Sequence, residues 1–478
     1  MSGIQLRKKE RIAPVAFILV LLFPNPVFAA DADGSALSGW WGIPFVGLLL
    51  SIALGPLLCA SFWHRHFGKI SFVWAAAFLL PFAVAFGVHA TVAGAVHALL
   101  AEYIPFIVLL TALFVVAGGI CVRGKLHGTP ALNTGLLALG TVLASLMGTT
   151  GASMLLIRPL IRANDQRKHA VHIVVFFIFL VANAGGSLTP LGDPPLFLGF
   201  LNGVDFFWTL QNILLETLFV CVSLLVIFYF LDRHYYQNKE EDLPPAIDTT
   251  PGSGIRVEGK CNVVLLLAVI GLVLMSGFWK PGIAFSVMGT PVTLQNLLRD
   301  VALIAVILVS LWCTPKTAHA GNDFSWGPII EVGKLFAGIF VTIIPVIAML
   351  RAGEAGAFGA VVRTVTGADG QPIDTMYFWI TGAWSSFLDN APTYLVFFYT
   401  ASGDAHTLMT TLGSTLAAIS AGAVFMGANS YIGNAPNMMI KAIAEDRGIK
   451  MPSFFGYMLW PLVILMPLFV VMTFLFFV

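Results

Sequence analysis

The chain has 478 residues, of which 58% are hydrophobic and only 10% are charged, and its mean hydropathy is +0.89. A water-soluble globular protein of this length needs more polar surface, so we expect the lipid bilayer to be its main surroundings. The net charge of +1 is not gathered into a long basic or acidic run, which argues against nucleic acid or another polyanion as a partner.

Residues 1–30 have the organisation of a secretory signal peptide. Four basic residues from Arg7 to Arg11 precede an apolar stretch from Ala13 to Leu22, and the run Pro-Val-Phe-Ala-Ala ends at Ala30. Cleavage near that point would leave the mature N-terminus outside a bacterial inner membrane. Retention of the segment as an uncleaved first span is the alternative.

Apolar windows long enough to cross a bilayer, which takes about 20 residues, recur along the rest of the chain. We predict spans at 40–60, 70–90, 102–120, 170–203, 207–231, 262–280, 298–313, 328–350, 407–444 and 453–477. The windows 170–203 and 407–444 are long and interrupted, so each is predicted to be a broken span. The fold class expected is therefore an all-α polytopic membrane protein with about ten spans.

Two further apolar stretches, 131–161 and 376–400, are interrupted near their middles, so neither half is long enough to cross alone. Most of the 25 Lys and Arg residues fall in one set of alternating loops, and the positive-inside rule places that set in the cytoplasm. The assignment is consistent only if 131–161 enters and leaves from the cytoplasm and 376–400 from outside. Both are therefore predicted to be re-entrant hairpins.

The polar insert 232–260 separates two halves of similar content and is predicted to be a cytoplasmic linker. The first transmembrane repeat then covers 40–231 and the second covers 262–478. Since the two hairpins enter from opposite sides, the halves have inverted topology, a plan that many secondary transporters share.

An internal sequence match supports the repeat. The run GGSLTPLGDPPLF, which starts at Gly185, aligns with MGANSYIGNAPNM, which starts at Met426, and this places Asp193 on Asn434. The hairpin tips align at nearly the same spacing if Gly151 is placed on Asn390. Two elements in the same order at one spacing indicate a duplication.

Glycine and proline interrupt both broken spans, because proline removes a helical hydrogen bond. The helix-breaking residues are Gly185, Gly186, Gly192, Pro194, Pro195, Gly427, Gly433 and Pro436. Unwound backbone at membrane depth must face protein or a water-filled cavity, so we expect the breaks and the hairpin tips to meet at a central cavity. Freed carbonyl groups there could ligate a hard cation.

Asp193 and Asp389 are the two acids at these interruptions, and a carboxylate at that depth usually marks an ion or proton pathway. They are predicted to form a sodium-type site. Hydroxyl and amide oxygens suited to Na⁺ or to a carboxylate-bearing solute cluster around them. The set consists of Thr149, Thr150, Ser187, Thr189, Ser386, Asn390, Thr393, Asn429, Ser430, Asn434 and Asn437.

Other polar residues are interpreted as structural. His169 and His172 follow the basic flank of the first hairpin and are expected on a solvated cytoplasmic face. Arg351 and Glu354 have the spacing of a helical ion pair. The five cysteines are scattered, mostly near cytoplasmic ends, and are expected to be reduced packing residues.

The motifs at Gly185–Pro195 and Ser385–Pro392 resemble those of the ion transporter superfamily. The similar branch contains arsenite pumps, D-type sodium/proton antiporters, the melanosomal P protein and citrate carriers. The resemblance implies two re-entrant hairpins, an elevator-like transport motion and often a homodimer, and it supports Asp193, Asp389, Asn390 and Thr189 as site residues. The chain departs from antiporter relatives because its first hairpin tip, Gly148–Gly151, lacks an Asp-Asn pair. It also lacks the Ser-Asn-Thr triplet of dicarboxylate carriers.

Two acids without an evident central Arg or Lys favour a sodium/proton antiporter, with Na⁺ or H⁺ as the coupling ion and no cofactor. The alternative is a transporter of citrate or another dicarboxylate, coupled to Na⁺ or H⁺, and an ion channel is a remote third. An enzyme is not expected, because hydrolase, zinc-protease and nucleotide-binding motifs are missing from the sequence.

Overall fold

The computed structural model describes residues 34–124, 126–239 and 256–478. The predicted signal peptide lies outside these residues. The described chain is dominated by helices, and their order follows the two predicted halves.

The first half begins with α1 (Ile43–Leu58), α2 (Ala60–Phe86) and α3 (Val88–His97), which continues through a π-helical turn into α4 (Ile104–Gly118). Two helices that pack against each other follow, α5 (Pro130–Met147) and α6 (Thr149–Ala163). The broken span consists of α7 (Val171–Leu180) and α8 (Pro194–Leu201). A short α9 (Trp208–Asn212) leads into α10 (Leu214–Lys239).

The second half has its packed helix pair and its broken span in the same order, with short helices at other positions. It contains α11 (Lys260–Phe278), α12 (Leu294–Cys313), a short α13 (Lys316–Gly321), and the pair α14 (Gly327–Thr342) and α15 (Ile344–Arg351), bent by 43°. After α16 (Gly359–Val365) come the packed helices α17 (Asp374–Phe387) and α18 (Asn390–Ala401). A short α19 (Ala405–Thr410) precedes the second broken span, α20 (Gly413–Phe425) and α21 (Ala435–Asp446), and α22 (Phe454–Phe476) follows.

Helix lengths and hydropathy confirm an all-α polytopic membrane protein. Among the described residues, eight helices are long and apolar enough to cross a bilayer, or nine if the bent pair is one span. Seven of them fall on the predicted unbroken spans, and the eighth is α5. The expectation that neither half of 131–161 is long enough to cross alone was therefore wrong for its first half, because α5 has 18 residues. The two predicted broken spans are not among these helices, because each is divided into shorter helices.

Two small antiparallel ribbons accompany the helices and were not predicted. One pairs β1 (Cys121–Arg123) with β2 (Arg256–Glu258), and the other pairs β3 (Ala284–Val287) with β4 (Thr290–Thr293). The second ribbon turns at Met288 and Gly289, both of which have positive φ angles, as its tight connection requires.

The expectation that all cysteines are unpaired was wrong. Cys261 at the start of α11 and Cys313 at the end of α12 form a disulfide. Because α11 and α12 pack together as consecutive helices of an up-and-down pair, residues 52 positions apart meet at one end. Spacing in the sequence does not reveal such a contact.

Four helices form the most deeply buried part of the molecule. Every residue of α6 from Gly151 to Ile161 and of α18 from Asn390 to Thr400 is buried, as are almost all of α7 and the later turns of α20. By contrast, α1, α2, α11 and α12 expose many large apolar side chains, as helices in contact with lipid do.

The predicted linker starts later than residue 232, because α10 continues to Lys239. Asp232 is fully buried, and its carboxylate lies 2.6 Å from Arg167 Nη2 and 2.8 Å from His172 Nε2. His172 is only 2% exposed, so its predicted place on a solvated face was wrong. Arg167 and His172 lie in the interior because the buried carboxylate of Asp232 needs ion-pair and hydrogen-bond partners.

Arg351 and Glu354 do not form the predicted ion pair among the described residues. α15 ends at Arg351, and Glu354 lies in a separate turn of 3₁₀-helix beyond it, so the helical spacing is lost. The Arg351 guanidinium instead lies 4.8 Å from the centre of the Tyr399 ring.

Candidate functional site

The two helix breaks have the same construction. Residues 181–193 separate α7 from α8, and residues 426–434 separate α20 from α21. In the first break a Cβ atom added to Gly192 would lie 2.2 Å from the Gly186 carbonyl oxygen, and in the second one added to Gly433 would lie 2.5 Å from that of Gly427. The chain therefore crosses itself closely in each break, and only glycine fits.

The same hydrogen bonds recur in both halves. Thr189 donates its hydroxyl to the Ser145 carbonyl, and Ser430 donates to the Ser386 carbonyl. Ser145 Oγ donates to the Gly185 carbonyl at 2.5 Å. Ser386 Oγ donates to the Met426 carbonyl at 3.1 Å. Corresponding residues of these pairs are 241 positions apart, the separation of Asp193 and Asn434.

This single spacing corrects the predicted alignment of the hairpin tips. At 241 positions, Gly148 corresponds to Asp389 and Thr149 to Asn390, two residues away from the match proposed with Gly151. α6 begins immediately after Gly148, which has φ +83°, and α18 begins immediately after Asp389. The two tips are thus equivalent in position but different in chemistry.

Asp193 lies where all four interrupted elements meet, and it is 2% exposed. Its Oδ1 accepts hydrogen bonds from Thr149 Oγ1 and Asn434 Nδ2, each at 3.1 Å. Its Oδ2 accepts one from Asn390 Nδ2 at 2.5 Å. Thr149 and Asn390 are the equivalent residues of the two hairpin tips, and Asn434 is the counterpart of Asp193 itself. A single carboxylate therefore receives a donor from each hairpin and from the opposite break.

Asp389 is half-buried and faces the same cavity as Asp193 without a hydrogen bond between them. Its side chain accepts from the Ala391 backbone N–H at 3.0 Å, which makes it the N-terminal cap of α18. The two predicted acids are therefore neighbours in one cavity, with distinct local roles.

Most of the other predicted oxygen ligands hold the fold together. Ser187 hydrogen bonds to Thr217 of α10, and Thr393 donates back to the Asp389 carbonyl. Asn429 donates to Ser386, and Asn437 donates to the carbonyls of Gly427 and Ser430. Thr189, Ser386 and Ser430 form the bonds between breaks and hairpins given above. Only Thr149, Thr150, Asn390 and Asn434 line the cavity beside the two acids.

Asn183 was missed by the sequence interpretation although it is fully buried between the two breaks. It donates to Asn437 Oδ1 at 2.8 Å and accepts from Asn434 Nδ2 at 3.3 Å. Its position in the middle of an apolar span, next to the glycine pair, was the signal that could have revealed it. Asn183 links the first break to the second.

The cavity has a volume of about 630 Å³ and contains both hairpin tips and both breaks. Its lining extends to Arg158, Asp323 and Asp446, at the end that the positive-inside rule places in the cytoplasm. The sequence showed no evident central Arg or Lys, and Arg158 does not lie at the centre. It is 8% exposed, lies on the buried helix α6 and contributes to the cavity wall, so a guanidinium does line the cavity.

The oxygens at Asp193 suit a small hard cation or a proton. None of the residues described in the structure forms an ion pair with Asp193, and the Asn390 Oδ1 atom beside it is buried without a hydrogen-bond partner. A buried carboxylate that has only neutral donors is costly while it stays charged and unpaired. No group of three or more His, Cys, Asp or Glu residues forms a metal cluster in the described ranges, so amide and backbone oxygens would complete the coordination.

Comparison with known proteins gives one result that covers nearly the whole chain. Residues 34–477 match the model of a protein family described as "Putative citrate transport". A search of curated proteins found no match.

Proposed function

Since the chain belongs to the "Putative citrate transport" family, we propose that it is a secondary transporter of citrate or a related carboxylate, driven by Na⁺ or H⁺. In this proposal the substrate is a small organic anion, and the coupling cation binds at Asp193. The bilayer is its surrounding partner, and neither a bound cofactor nor a nucleic acid takes part.

The observation that carries the proposal is a pair of opposite charges in one cavity. Asp193 lies at the centre, where it has no cationic partner among the described residues, and Arg158 lies in the wall nearer the cytoplasmic end. A carboxylate requires a positive group such as a guanidinium, and a coupling cation requires an anionic ligand. The cavity offers both, as co-transport of an anion with a cation demands.

Sodium/proton exchange is the second candidate, and the pair of acids favours it. Asp193 and Asp389 line the same cavity, and two carboxylates could alternate between a proton and Na⁺. This candidate gives Arg158 no role. The family match and the buried arginine therefore favour the citrate class.

Uptake into proteoliposomes separates the two candidates. We expect [¹⁴C]citrate to accumulate when an inward Na⁺ or H⁺ gradient is imposed, and to stop accumulating when the gradient is collapsed with an ionophore. A parallel set of vesicles that contain a pH-sensitive dye receives Na⁺ without citrate. Dye signals that require no citrate, together with absent citrate uptake, would refute the proposal in favour of the antiporter.

A further inference from the structure

Arg158 lines the cavity and has a hydrogen-bonding group that no other described residue uses. Its Nε donates to Asp323 Oδ2 at 3.2 Å. Its Nη1 is buried and has no hydrogen-bond partner in the described parts of the chain. The Arg158 side chain is 9% exposed, so water does not readily satisfy this donor. A buried guanidinium with a free N–H group is an incomplete anion site.

The two residues of the Arg158–Asp323 ion pair differ in their exposure to solvent. Arg158 is fixed on the fully buried face of α6, whereas Asp323 lies between α13 and α14 with its side chain 63% exposed. Asp323 also lies 3.9 Å from Arg447 Nη2. Ion pairs that are exposed on one side contribute little to stability, so another carboxylate can replace Asp323 at small cost. Asp323 can keep its contact with Arg447 or with water.

Arg158 is separate from the central site. It follows Thr149 by nine positions on one helix, which corresponds to roughly 13 Å along the axis. The backbone positions of Arg158 and Thr149 are thus more than two helical turns apart. The acids Asp323, Glu331 and Asp446 also line the cavity, and among the described residues Arg158 is the only Arg or Lys that does so.

We propose that Arg158 binds a carboxylate of the organic-anion substrate between the central site and the cytoplasm, and that Asp323 competes with the substrate for this guanidinium. The inference rests on the proposed function. It assigns that substrate class a binding position apart from the cation at Asp193, and it makes Asp323 an internal competitor.

Opposite effects of two substitutions test the inference. Purified full-length protein is titrated with citrate by calorimetry, and succinate is a second probe. Arg158→Gln should weaken citrate binding about tenfold or more, because a charge-assisted bond is lost. Asp323→Asn should tighten citrate binding, because the competing charge is removed while an exposed residue keeps its shape. Arg158→Lys should give a citrate affinity between those of the wild type and Arg158→Gln, since lysine keeps the positive charge but lacks the paired N–H donors of the guanidinium.

Arg162→Gln is the matched control. Arg162 lies one turn further along α6, donates to the Val122 carbonyl and does not line the cavity, so citrate binding should be unchanged. If Asp323→Asn weakens binding as much as Arg158→Gln does, the pair is structural and the inference is wrong. Unchanged binding in both variants, with normal uptake by the wild type, would also overturn it and leave the proposed function intact. A wild type that neither binds nor transports citrate would overturn both. If Arg158→Gln does not fold, the direction of the Asp323→Asn effect decides alone.

Discussion

Replacement of Asp193 by Asn removes the charge at the centre of the site and keeps the shape of the side chain. Asp193 accepts three hydrogen bonds, from Thr149, Asn434 and Asn390. An amide at this position offers one acceptor atom and one donor group instead of two acceptors. The Asn390 amide, which lies 2.5 Å from Oδ2, then faces another N–H₂ group or must turn over.

Stability should change little because two effects oppose each other. A hydrogen bond to a charged acceptor contributes about 1.5–3 kcal/mol and one to a neutral acceptor about 0.5–1.5 kcal/mol, so three bonds lose roughly 3–5 kcal/mol in total. Removal of a buried charge without a cationic partner recovers a desolvation cost of several kcal/mol. We therefore expect a melting temperature close to that of the wild type. Cation-driven transport should be lost, because the carboxylate on which both hairpins and the second break converge is absent.

Both properties are measured on the same preparation. Gradient-driven uptake of labelled citrate in proteoliposomes reports the coupling, and thermal unfolding in detergent reports the stability. Asp404→Asn is the matched control, because Asp404 caps α19 through Thr407 at an exposed position and asparagine caps equally well. Gradient-driven accumulation of citrate by Asp193→Asn at the wild-type rate would refute the assignment of the cation to this carboxylate.

Three further substitutions, and a fourth that serves as a control, test other parts of the structure. Asp389→Asn keeps the N-terminal cap of α18, since asparagine caps as well as aspartate. If the second acid ligates the ion, the affinity for Na⁺ in the uptake assay should fall about tenfold while the melting temperature stays unchanged. An unchanged affinity for Na⁺ would restrict Asp389 to capping. Asp232→Asn removes a buried carboxylate that pairs with Arg167 and His172 and should cost about 3–5 kcal/mol of stability, measured by denaturant unfolding, with citrate affinity retained. Gly192→Ala should prevent correct folding, judged by gel filtration in detergent, because its Cβ would lie 2.2 Å from a backbone oxygen. Gly271→Ala meets nothing within 4 Å and should behave as the wild type.

The helices and their interruptions could be predicted because both depend on local sequence. A span needs a continuous apolar length, and glycine and proline end a helix wherever they cluster, so the breaks at Gly192 and Gly433 were visible. Asp193 stood out for the same reason, as an acid inside such an interruption. The duplication was detectable because both halves kept these backbone requirements.

Contacts between distant segments could not be predicted in the same way. Arg158 was not singled out as a site residue, because its sequence neighbours do not show that α6 is buried. The pairing of Asp232 with Arg167 and His172 joins residues 60 or more positions apart. The two-residue error at the hairpin tips arose since Gly148 and Asp389 are equivalent in backbone position but share no side-chain chemistry.

The hydrogen bonds of Asp193 also constrain how the protein moves. Its three donors come from three separate elements: the first hairpin through Thr149, the second through Asn390 and the second break through Asn434. One hairpin cannot withdraw alone without breaking a bond to a buried carboxylate. The two hairpins and the two breaks are therefore held together as one body for as long as Asp193 keeps these hydrogen bonds. This body can move against α1, α2, α11 and α12 with the loss of fewer polar contacts than the opening of a single hairpin requires.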